Sequence, residues 1–389
     1  MTESPNRQHV CLVSGQLLPN LIPVLMDRPA KVHLMVTEGM QSNAKRLQKI
    51  LADHDLMALC HDAVPSSEFT AIMAYAERMA ETLGDAFEGE SLVLNATGGT
   101  KLMSLAFYTW FKEIGANVIY TDTDRQLIES LTDTECPMQP MQQVIDVEVY
   151  LSASGMTLRR SACQDLEWRH GAQIRKSLSK WLAAHAAQLS DFFGALNKLA
   201  TDALDHKGEL LRTPTQYFES LPRGIWQQAM HQINAAGLVE WNGTHTVRFM
   251  DAESARYLSG AWLEEYAWHI VSDEQVFDVK TGVECTWDGS GRQAARNEFD
   301  VLTVHNNRLL VMECKTSRFG VQPSADSNIL YKLESLGSNA GGLFGKMLLL
   351  SARPLSDTER TRANSQRIDV LEGAEIAGLR DYVQRWKTV

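Results

Sequence analysis

Short apolar runs alternate with amphipathic helical patterns along residues 8–150. The apolar runs predict strands over residues 10–14, 32–36, 91–95 and 118–121. Helical patterns are found over about 17–26, 40–53, 66–83 and 100–114. Repeated strand–helix units of this length predict a mostly parallel, doubly wound α/β sheet. Such Rossmann-like sheets bind ligands at the carboxyl ends of their strands.

Additional strands and a long helix are predicted between residues 125 and 187. The alternation over 144–150 is typical of a half-exposed strand. The helical pattern over 166–187 carries four basic side chains, namely Arg169, His170, Arg175 and Lys176. We interpret them as a solvated helix face, and contact with a ligand or with a neighbouring domain is the alternative.

The middle of the chain has a winged-helix pattern. Helices are expected from Thr213 onward and over 224–236, followed by a hairpin over 237–249 with an Asn-Gly turn. Residues 151–250 contain 11 Lys and Arg against 8 Asp and Glu, whereas the whole chain has a net charge of −11. The pattern indicates either DNA binding or a rigid spacer between two domains.

The last part of the chain predicts a second α/β unit. Its helical pattern over 258–268 carries aromatic residues that we expect in the core. Strands are predicted over 276–287, 298–305, 308–314 and 347–350. A helix is predicted over 328–336, and its Tyr331 and Lys332 are candidates to face a phosphate backbone.

Charged residues interrupt two of these apolar strands. The Asn-Asn pair at 306–307 tolerates left-handed backbone, which predicts a tight hairpin. Side chains alternate along a strand, so Glu313 and Lys315 share a face, and Asp300 lies on the partner strand. Unpaired buried charges are costly, which favours a functional site over a solvated hairpin. Asp300, Glu313 and the Cys314 carbonyl are suited to Mg²⁺, and Lys315 is suited to orient water or stabilise a phosphorus transition state.

A second candidate site is the turn at residues 95–101, Asn-Ala-Thr-Gly-Gly-Thr-Lys. Its small residues permit close backbone approach, and the following helix directs free N–H groups toward an anion. Lys101 adds a positive charge. The spacing fits neither a P-loop nor a dinucleotide-binding fingerprint. The turn predicts a phosphate cradle, and a tight strand-to-helix turn is the alternative.

Composition narrows the functional classes. The acidic balance argues against a protein that coats duplex DNA by charge alone. The chain contains no run of 18 apolar residues, so the sequence predicts no membrane span. The six cysteines form no C-x-x-C pair, so we expect reduced thiols in a cytoplasmic protein.

The Asp300, Glu313 and Lys315 pattern resembles the PD-(D/E)xK nuclease superfamily, which has a restriction-endonuclease-like fold. The resemblance implies a catalytic role for these three residues, with metal at Asp300, Glu313 and the Cys314 carbonyl. It also implies that a Glu of the first helix completes the metal shell, for which Glu264 is the candidate.

The turn at 95–101, together with Ser14-Gly15-Gln16 after the first strand, resembles the CRISPR-associated Rossmann-fold (CARF) sensor domain. The resemblance implies a dimer that binds cyclic oligoadenylate across its two-fold axis. The implied ligand-binding residues are Ser14, Gly15, Gln16, Asn20, Thr37, Glu38, Asn95, Thr97, Gly98, Thr100 and Lys101.

Both patterns in one chain resemble the CARF-fused ancillary nucleases of type III CRISPR systems. We expect a CARF sensor over 1–150, a linker helix and winged-helix-like spacer over 151–250, and a PD-(D/E)xK nuclease over 251–389. The resemblance implies a cytoplasmic homodimer that takes part in antiviral defence. It also implies activation by cyclic tetra-adenylate and Mn²⁺- or Mg²⁺-dependent cutting of DNA, single-stranded RNA or both, with little sequence preference.

The alternative is a ligand-controlled winged-helix transcription regulator with an inactive nuclease fold. The intact set of Asp300, Glu313 and Lys315 argues against it. The sequence leaves open the ring size of the activator, the preferred nucleic acid, whether the sensor degrades its ligand, and whether a dimer forms one composite cut site or two.

Overall fold

The computed structural model of the chain describes residues 7–85, 91–135, 137–288, 296–317 and 345–388. Its strands are β1 (Arg7–Leu12), β2 (Lys31–Met35), β3 (Ala58–His61), β4 (Ser91–Asn95), β5 (Asn117–Asp122), β6 (Leu127–Ser130), β7 (Met138–Pro140), β8 (Met156–Arg160), β9 (Thr215–Tyr217), β10 (Val239–Glu240), β11 (Thr246–Phe249), β12 (Asp278–Trp287), β13 (Arg296–His305), β14 (Arg308–Lys315), β15 (Gly345–Ser351) and β16 (Ile368–Glu372).

Its α-helices are α1 (Leu18–Asp27), α2 (Gln41–Asp53), α3 (Phe69–Asp85), α4 (Lys101–Glu113), α5 (Val147–Ala153), α6 (Leu166–Ala184), α7 (Ser190–Ala203), α8 (Ile225–Ala235), α9 (Ala252–Arg256), α10 (Trp262–Asp273), α11 (Asp357–Ser365) and α12 (Leu379–Thr388). Short 3-10 turns cover Glu38–Met40, Ala162–Gln164 and Gly373–Gly378, and a π-helical turn covers Tyr257–Ala261.

The first sheet has seven strands in the order β3-β2-β1-β4-β5-β6-β7. The first five strands in this order pair in parallel, and β6 and β7 are added antiparallel. Helices α1 to α4 are the crossovers that parallel pairing requires. The predicted doubly wound sheet is therefore confirmed, and the carboxyl ends of β1, β2 and β4 lie side by side.

Two details of the middle region differ from the predictions. The predicted strand over 144–150 is wrong, because α5 begins at Val147 and the Asp146 side chain caps it by accepting from the Val149 N–H. The N–H groups of Val144 and Ile145 donate to Asn307 instead of to a strand. The predicted helix from Thr213 is also wrong, because Thr215 begins the strand β9. An apolar alternation this short does not distinguish helix from strand.

A small three-stranded sheet, in the order β10-β11-β9, packs with α7 and α8. This arrangement confirms the winged-helix-like fold of the middle region. Its first helix is α7, which the sequence analysis did not locate. Asn234 helps to fix the hairpin, because its Oδ1 accepts from the Trp241 N–H at 2.9 Å.

The third sheet has six strands in the order β16-β15-β14-β13-β12-β8. Its central hairpin is the predicted one: β13 pairs antiparallel with β14, and Asn306 and Asn307 have φ of 50° and 55°. The edge strand β8 comes from the region predicted as a linker. The predicted helix at 328–336, with Tyr331 and Lys332, lies outside the described residues.

The first and third sheets share a hydrophobic core. One cluster of buried side chains joins α1, α2 and α5 to β12, β13 and β14. Leu47 of α2, Tyr150 of α5 and Phe299 of β13 belong to it, and all are essentially inaccessible. A second cluster on the other face of the third sheet contains α6, α7, α8 and α10. None of the helices in the described part of the chain combines the length and the apolar composition that a membrane span requires.

Candidate functional site

The hairpin β13–β14 opens at the end that carries the charged residues. The ladder runs from His305–Arg308 to Val301–Met312. Beyond that pair, the Cys314 N–H donates to the carboxylate of Asp300 at 2.6 Å. A side-chain carboxylate thus takes the place that a backbone carbonyl has in a regular ladder, and the two strands end around Asp300 and Glu313.

Side-chain alternation along β14 is as predicted. Leu309 and Val311 pack in the cluster shared with the first sheet, whereas Leu310 and Met312 pack in the other cluster. Glu313 continues the first set and is 8% exposed. A carboxylate so deeply buried at a strand end is expected to have a charged partner.

Carboxylates converge at this strand end. Glu264, in the first turn of α10, is partly buried. Its burial, followed by the negative charges of Asp300, Glu298 and Glu313, raises the pKa of Glu264 well above the usual value. The structure therefore brings Glu264 beside Asp300 and Glu313, as predicted, and adds Glu298 to the group. Repulsion among these carboxylates is relieved when a cation binds.

Lys315 reaches the same region from the end of β14. Burial lowers the pKa of its ammonium group, and the charges of Glu359 and Glu313 oppose this shift. Glu359 lies on α11, where it forms a capping box with Ser356. The Lys315 carbonyl accepts from the Ala352 N–H at 2.8 Å, which ties the end of β14 to the end of β15.

The donor atoms at this strand end suit a hard divalent cation. Carboxylate oxygens of Asp300, Glu313 and Glu264 and the carbonyl of Cys314 are the oxygen ligands that Mg²⁺ and Mn²⁺ prefer. Among the described residues, no group of three or more His, Cys, Asp or Glu side chains is already arranged to enclose a metal ion. Such enclosure is not required, because Mg²⁺ is commonly held by one or two carboxylates and keeps several waters. The residues present fit the ion.

A cleft of about 790 Å³ opens beside Glu264. The winged-helix-like region contributes the loop at 207–209, and α6 contributes Trp168 and Arg175. Basic side chains on its wall include Arg160, Lys207 and Arg256. Glu264 and Glu298, two of the converging carboxylates, line this cleft.

The other candidate site, the turn at 95–101, is built from internal hydrogen bonds. The Asn95 amide donates to the Pro19 carbonyl at 2.8 Å and accepts from the Thr97 N–H at 3.0 Å. Thr97 Oγ1 accepts from the Thr121 N–H at 2.7 Å. The Asn20 amide donates to the Leu12 carbonyl at 2.9 Å. These side chains fasten the carboxyl ends of β1, β4 and β5 to one another.

Two glycines allow the turn to lie against β1. A Cβ at Gly98 would overlap the carbonyl oxygen of Leu12 and approach the Asn20 amide nitrogen to 3.2 Å. Gly99 has φ of +72°, which favours glycine. The backbone therefore crosses the end of the sheet at a distance that no larger residue permits.

The surface of this turn is formed by the remaining predicted residues. Thr100 caps α4 by accepting from the Met103 N–H at 3.2 Å, and Lys101 is exposed at the first position of that helix. Gly15 and Glu38 are exposed, and Ser14 and Gln16 are half-buried. Thr37 is buried at the end of β2. The structure thus gathers all eleven predicted ligand-site residues at one edge of the sheet, and their contact with a ligand stays a prediction.

Asn43 of α2 also belongs to this edge, although the sequence analysis did not select it. Its amide lies 3.2 Å from the Ser14 carbonyl and 3.4 Å from the Gly15 carbonyl.

At the nuclease site, the sequence analysis did not select Glu298. Its position two residues before Asp300 on the same strand was a usable signal. Glu359 is distant in sequence from Lys315, and no local pattern marks it.

Comparison with known proteins separates the chain into the same two parts, one that contains the turn at 95–101 and one that contains the carboxylates. Residues 8–150 match the sequence model of the Card1 CARF domain, and residues 251–389 match that of the Card1-like endonuclease domain. No curated protein sequence matches the chain.

Solved structures with similar folds include protein VC1899 from Vibrio cholerae, with 22% identity, a TM-score of 0.85 and 98% of both chains covered. Can2 from Sulfobacillus thermosulfidooxidans, solved with cyclic tetra-adenylate, has 22% identity and a TM-score of 0.77, with 99% of this chain and 98% of Can2 covered. A type III CRISPR defence DNA nuclease activated by cyclic oligoadenylate has 14% identity and a TM-score of 0.53, with 90% of this chain and 46% of that chain covered.

At these identities the solved structures establish the fold, whereas the two sequence models identify the domains. The models together match well over half of the chain, including both candidate sites. The chain is therefore an endonuclease of the Card1-like family, in which a CARF domain and a nuclease domain are joined.

Proposed function

We propose that this endonuclease is activated by a cyclic oligoadenylate, of which cyclic tetra-adenylate is the best candidate, and that it serves type III CRISPR defence. The observation that carries the proposal is the joint presence of the glycine-dependent turn at 95–101 and the carboxylate cluster at 300–313 in one chain. The similarity to Can2, which was solved with cyclic tetra-adenylate, supports this choice of ligand.

The sensor edge suits a compact polyanion. Gly15 leaves the backbone open to close approach, because an added Cβ there would meet no atom within 4 Å, and the N-terminus of α4 directs its dipole to the same edge of the sheet. Lys101 supplies the charge. Asn95, Thr97 and Asn20 hold the edge in shape, so the site is preorganised and little free energy is lost on ordering it.

At the nuclease site we propose that Asp300, Glu313, Glu264 and the Cys314 carbonyl hold Mn²⁺ or Mg²⁺. When bound, such an ion lowers the pKa of a water and neutralises charge on the phosphodiester. Lys315 then positions the attacking water or stabilises the negative charge that develops on phosphorus. The basic side chains Arg160, Lys207 and Arg256 on the cleft wall are placed to contact phosphates of DNA or RNA.

The shared core offers a direct path from sensor to nuclease. Asn43 of α2 contacts the carbonyls of Ser14 and Gly15, and one turn later Arg46 donates to Asp288 at 3.1 Å, directly after β12. Ligand that shifts the Ser14–Gly15 loop therefore moves a helix packed against the nuclease sheet. In this proposal the ligand favours one of two arrangements, and its differential affinity sets the degree of activation. The winged-helix-like region serves as a spacer and as one wall of the cleft.

We further propose a homodimer that binds the activator across its two-fold axis. The exposed side chains of Leu102 and Leu105 lie on α4 beside Lys101, and such an apolar face next to a ligand site suits a subunit interface. Sedimentation velocity of Leu105→Lys tests this: the account expects a monomer, and an unchanged dimer contradicts it. The thiols of Cys11, Cys60, Cys163 and Cys314 form no disulfide within the described part of the chain, which supports a cytoplasmic protein.

The proposal is tested by cleavage of supercoiled plasmid and of single-stranded RNA in Mn²⁺, with and without cyclic tetra-adenylate. Glu313→Ala is the control, because it removes one carboxylate of the metal site. The proposal expects cutting that requires both the activator and Glu313. Cutting without any activator contradicts the sensor assignment. Sequence-specific DNA binding without cleavage, under any ring size, would favour the winged-helix transcription regulator instead.

A further inference from the structure

Arg175 of α6 is a buried cation that the proposed mechanism does not use. The sequence pattern suggested a solvated helix face, but its side chain is only 8% exposed. Its guanidinium binds Glu265 with two hydrogen bonds, at 3.2 Å from Nε and 2.7 Å from Nη2. The third nitrogen, Nη1, donates to Glu253 at 2.8 Å. Arg175 therefore binds α9 and α10 at the same time.

A break in the helix separates these two acidic partners. Glu253 lies on α9 and Glu265 on α10, and the π-helical turn Tyr257–Ala261 lies between them. Within this turn Gly260 has φ of 153°, and a Cβ there would lie 2.8 Å from Thr316 Oγ1. The turn interrupts the regular i to i−4 hydrogen bonding, so α9 alone does not fix the rotation of α10.

Further contacts make the bridge rigid. The Arg175 guanidinium stacks over the Tyr257 ring at 5.0 Å, and the Tyr257 hydroxyl hydrogen-bonds Ser179 Oγ at 2.8 Å. Gly171, one turn earlier on α6, leaves room for the guanidinium, since a Cβ there would approach Arg175 Nη1 to 3.0 Å. The planar fork of arginine suits this bidentate and stacked geometry, which lysine does not reproduce.

Glu264 directly precedes Glu265 in the first turn of α10. We propose that Arg175 is a positioning residue for the metal site: by bridging Glu253 and Glu265 across the π-turn, it fixes the rotation of α10 that directs Glu264 toward Asp300 and Glu313. The inference rests on the proposed function in one respect, because it takes Glu264 as part of the metal shell.

The packing of α6 against α10 does not depend on Arg175 alone. Lys176 and Lys180 pair with Asp273 at the far end of α10, at 2.6 and 3.0 Å. His269 Nε2 lies 2.9 Å from the Ala172 carbonyl. A buried ion pair adds little net stability over apolar residues of similar volume. The role that distinguishes Arg175 is therefore to orient Glu264, rather than to hold α6 against α10.

The test has two measurements. Mn²⁺ binding is measured without nucleic acid or activator, from the electron paramagnetic resonance signal of free Mn²⁺. The stability of each variant is measured by urea unfolding. Arg175→Met/Glu265→Leu removes both buried charges, and Arg175→Lys keeps the positive charge without the fork. Lys180→Met is the matched control on the same helix face. Glu264→Gln is the reference for loss of one metal ligand.

We expect Glu264→Gln, the double variant and Arg175→Lys each to weaken Mn²⁺ binding, by roughly tenfold or more in the first two. Lys180→Met should bind Mn²⁺ like the wild type, and the urea midpoint of the double variant should stay close to wild type. If Glu264→Gln binds Mn²⁺ more weakly but the double variant and Arg175→Lys bind it like the wild type, the positioning role of Arg175 is overturned. The assignment of Glu264 to the metal shell then stands. Wild-type binding in Glu264→Gln overturns both the metal-shell assignment and this inference.

Discussion

The sensor turn and the nuclease hairpin both lie where strands end, but they treat their polar groups in opposite ways. In the sensor turn, Asn95, Thr97 and Asn20 donate or accept hydrogen bonds within the protein. In the nuclease site, burial and then the negative charges of neighbouring carboxylates raise the pKa of Glu264. The first site pairs most of its polar side-chain groups within the protein, the Oδ1 of Asn20 being a buried acceptor without a partner among the described residues, and it presents backbone and small residues. The second has an unfavourable concentration of negative charge that a cation would relieve.

This difference shows how one chain can separate sensing from cutting. A preorganised turn binds a ligand without rearranging its own hydrogen bonds. A carboxylate cluster keeps a functional site at a cost in stability, as many catalytic sites do. Substitutions in the two sites should therefore have opposite signatures. Changes in the sensor frame should reduce stability first, and changes in the cluster should reduce activity first.

The largest effect is expected for Lys315→Ala. Loss of the ammonium group next to Glu313 should lower the cleavage rate roughly a hundred- to thousandfold, because a preorganised charge at the transition state is lost. Lys346→Ala, which removes an exposed lysine paired with Asp369, is the control and should cut normally. Rates come from plasmid nicking under saturating activator. Equal rates in both variants would remove Lys315 from the site.

Gly98→Ala should destabilise the protein by about 3 kcal/mol, because the new methyl group overlaps the Leu12 carbonyl oxygen. Gly15→Ala is the matched control, since an added Cβ there meets no atom within 4 Å, and its stability should change by less than about 0.5 kcal/mol. Urea unfolding provides both values. A Gly98→Ala protein as stable as Gly15→Ala would show that the turn does not lie against β1.

Lys101→Ala should raise the activator concentration for half-maximal cutting by about tenfold, as expected for one charge-assisted contact. Maximal cutting at saturation should be unchanged, because Lys101 lies on α4 at the edge of the first sheet, whereas the carboxylates lie on and beside the third sheet. Lys112→Ala, at the other end of α4, is the control. An unchanged activation curve for Lys101→Ala would exclude this lysine from the sensor site.

The smallest effect is a gain in stability. The raised pKa of Glu264 means that the folded protein favours the protonated form of this carboxyl. The stability that this carboxyl contributes is therefore fully present below the ordinary carboxyl pKa, and it is lost as the pH rises through the pKa of Glu264 in the folded protein. At pH 8 in EDTA, Glu264→Gln should therefore raise the free energy of unfolding by about 1 kcal/mol. This advantage should shrink as the pH falls, and Mn²⁺ should stabilise wild type more than the variant. A less stable variant at pH 8 would contradict the predicted repulsion.

The sequence predicted the parts of both sites that depend on local pattern. Alternation along β14 placed Glu313 and Lys315 together, and the Asn-Asn pair predicted the hairpin that brings Asp300 beside them. The glycines of the sensor turn were recognised from the strand-to-helix transition. These features depend on neighbouring residues and on the preferences of the backbone.

Features set by packing could not be predicted in this way. Arg175 looked like one of several basic residues on a solvated helix, and only its position against α9 and α10 buries it. The strand predicted at 144–150 became a helix because Asp146 caps it and Asn307 takes the preceding N–H groups. Nor does a sequence show which way an amide points, so the internal hydrogen bonds of Asn95 and Asn20 emerged only from the structure.

The central claim is that activator binding and phosphodiester cleavage use separate sites in one chain. The most direct test is calorimetric titration of Glu313→Ala with cyclic tetra-adenylate, combined with Mn²⁺-dependent plasmid nicking by the same preparation. The account predicts that the variant binds the activator within about twofold of wild-type affinity and does not nick the plasmid. Lost binding, or nicking at the wild-type rate, would contradict it.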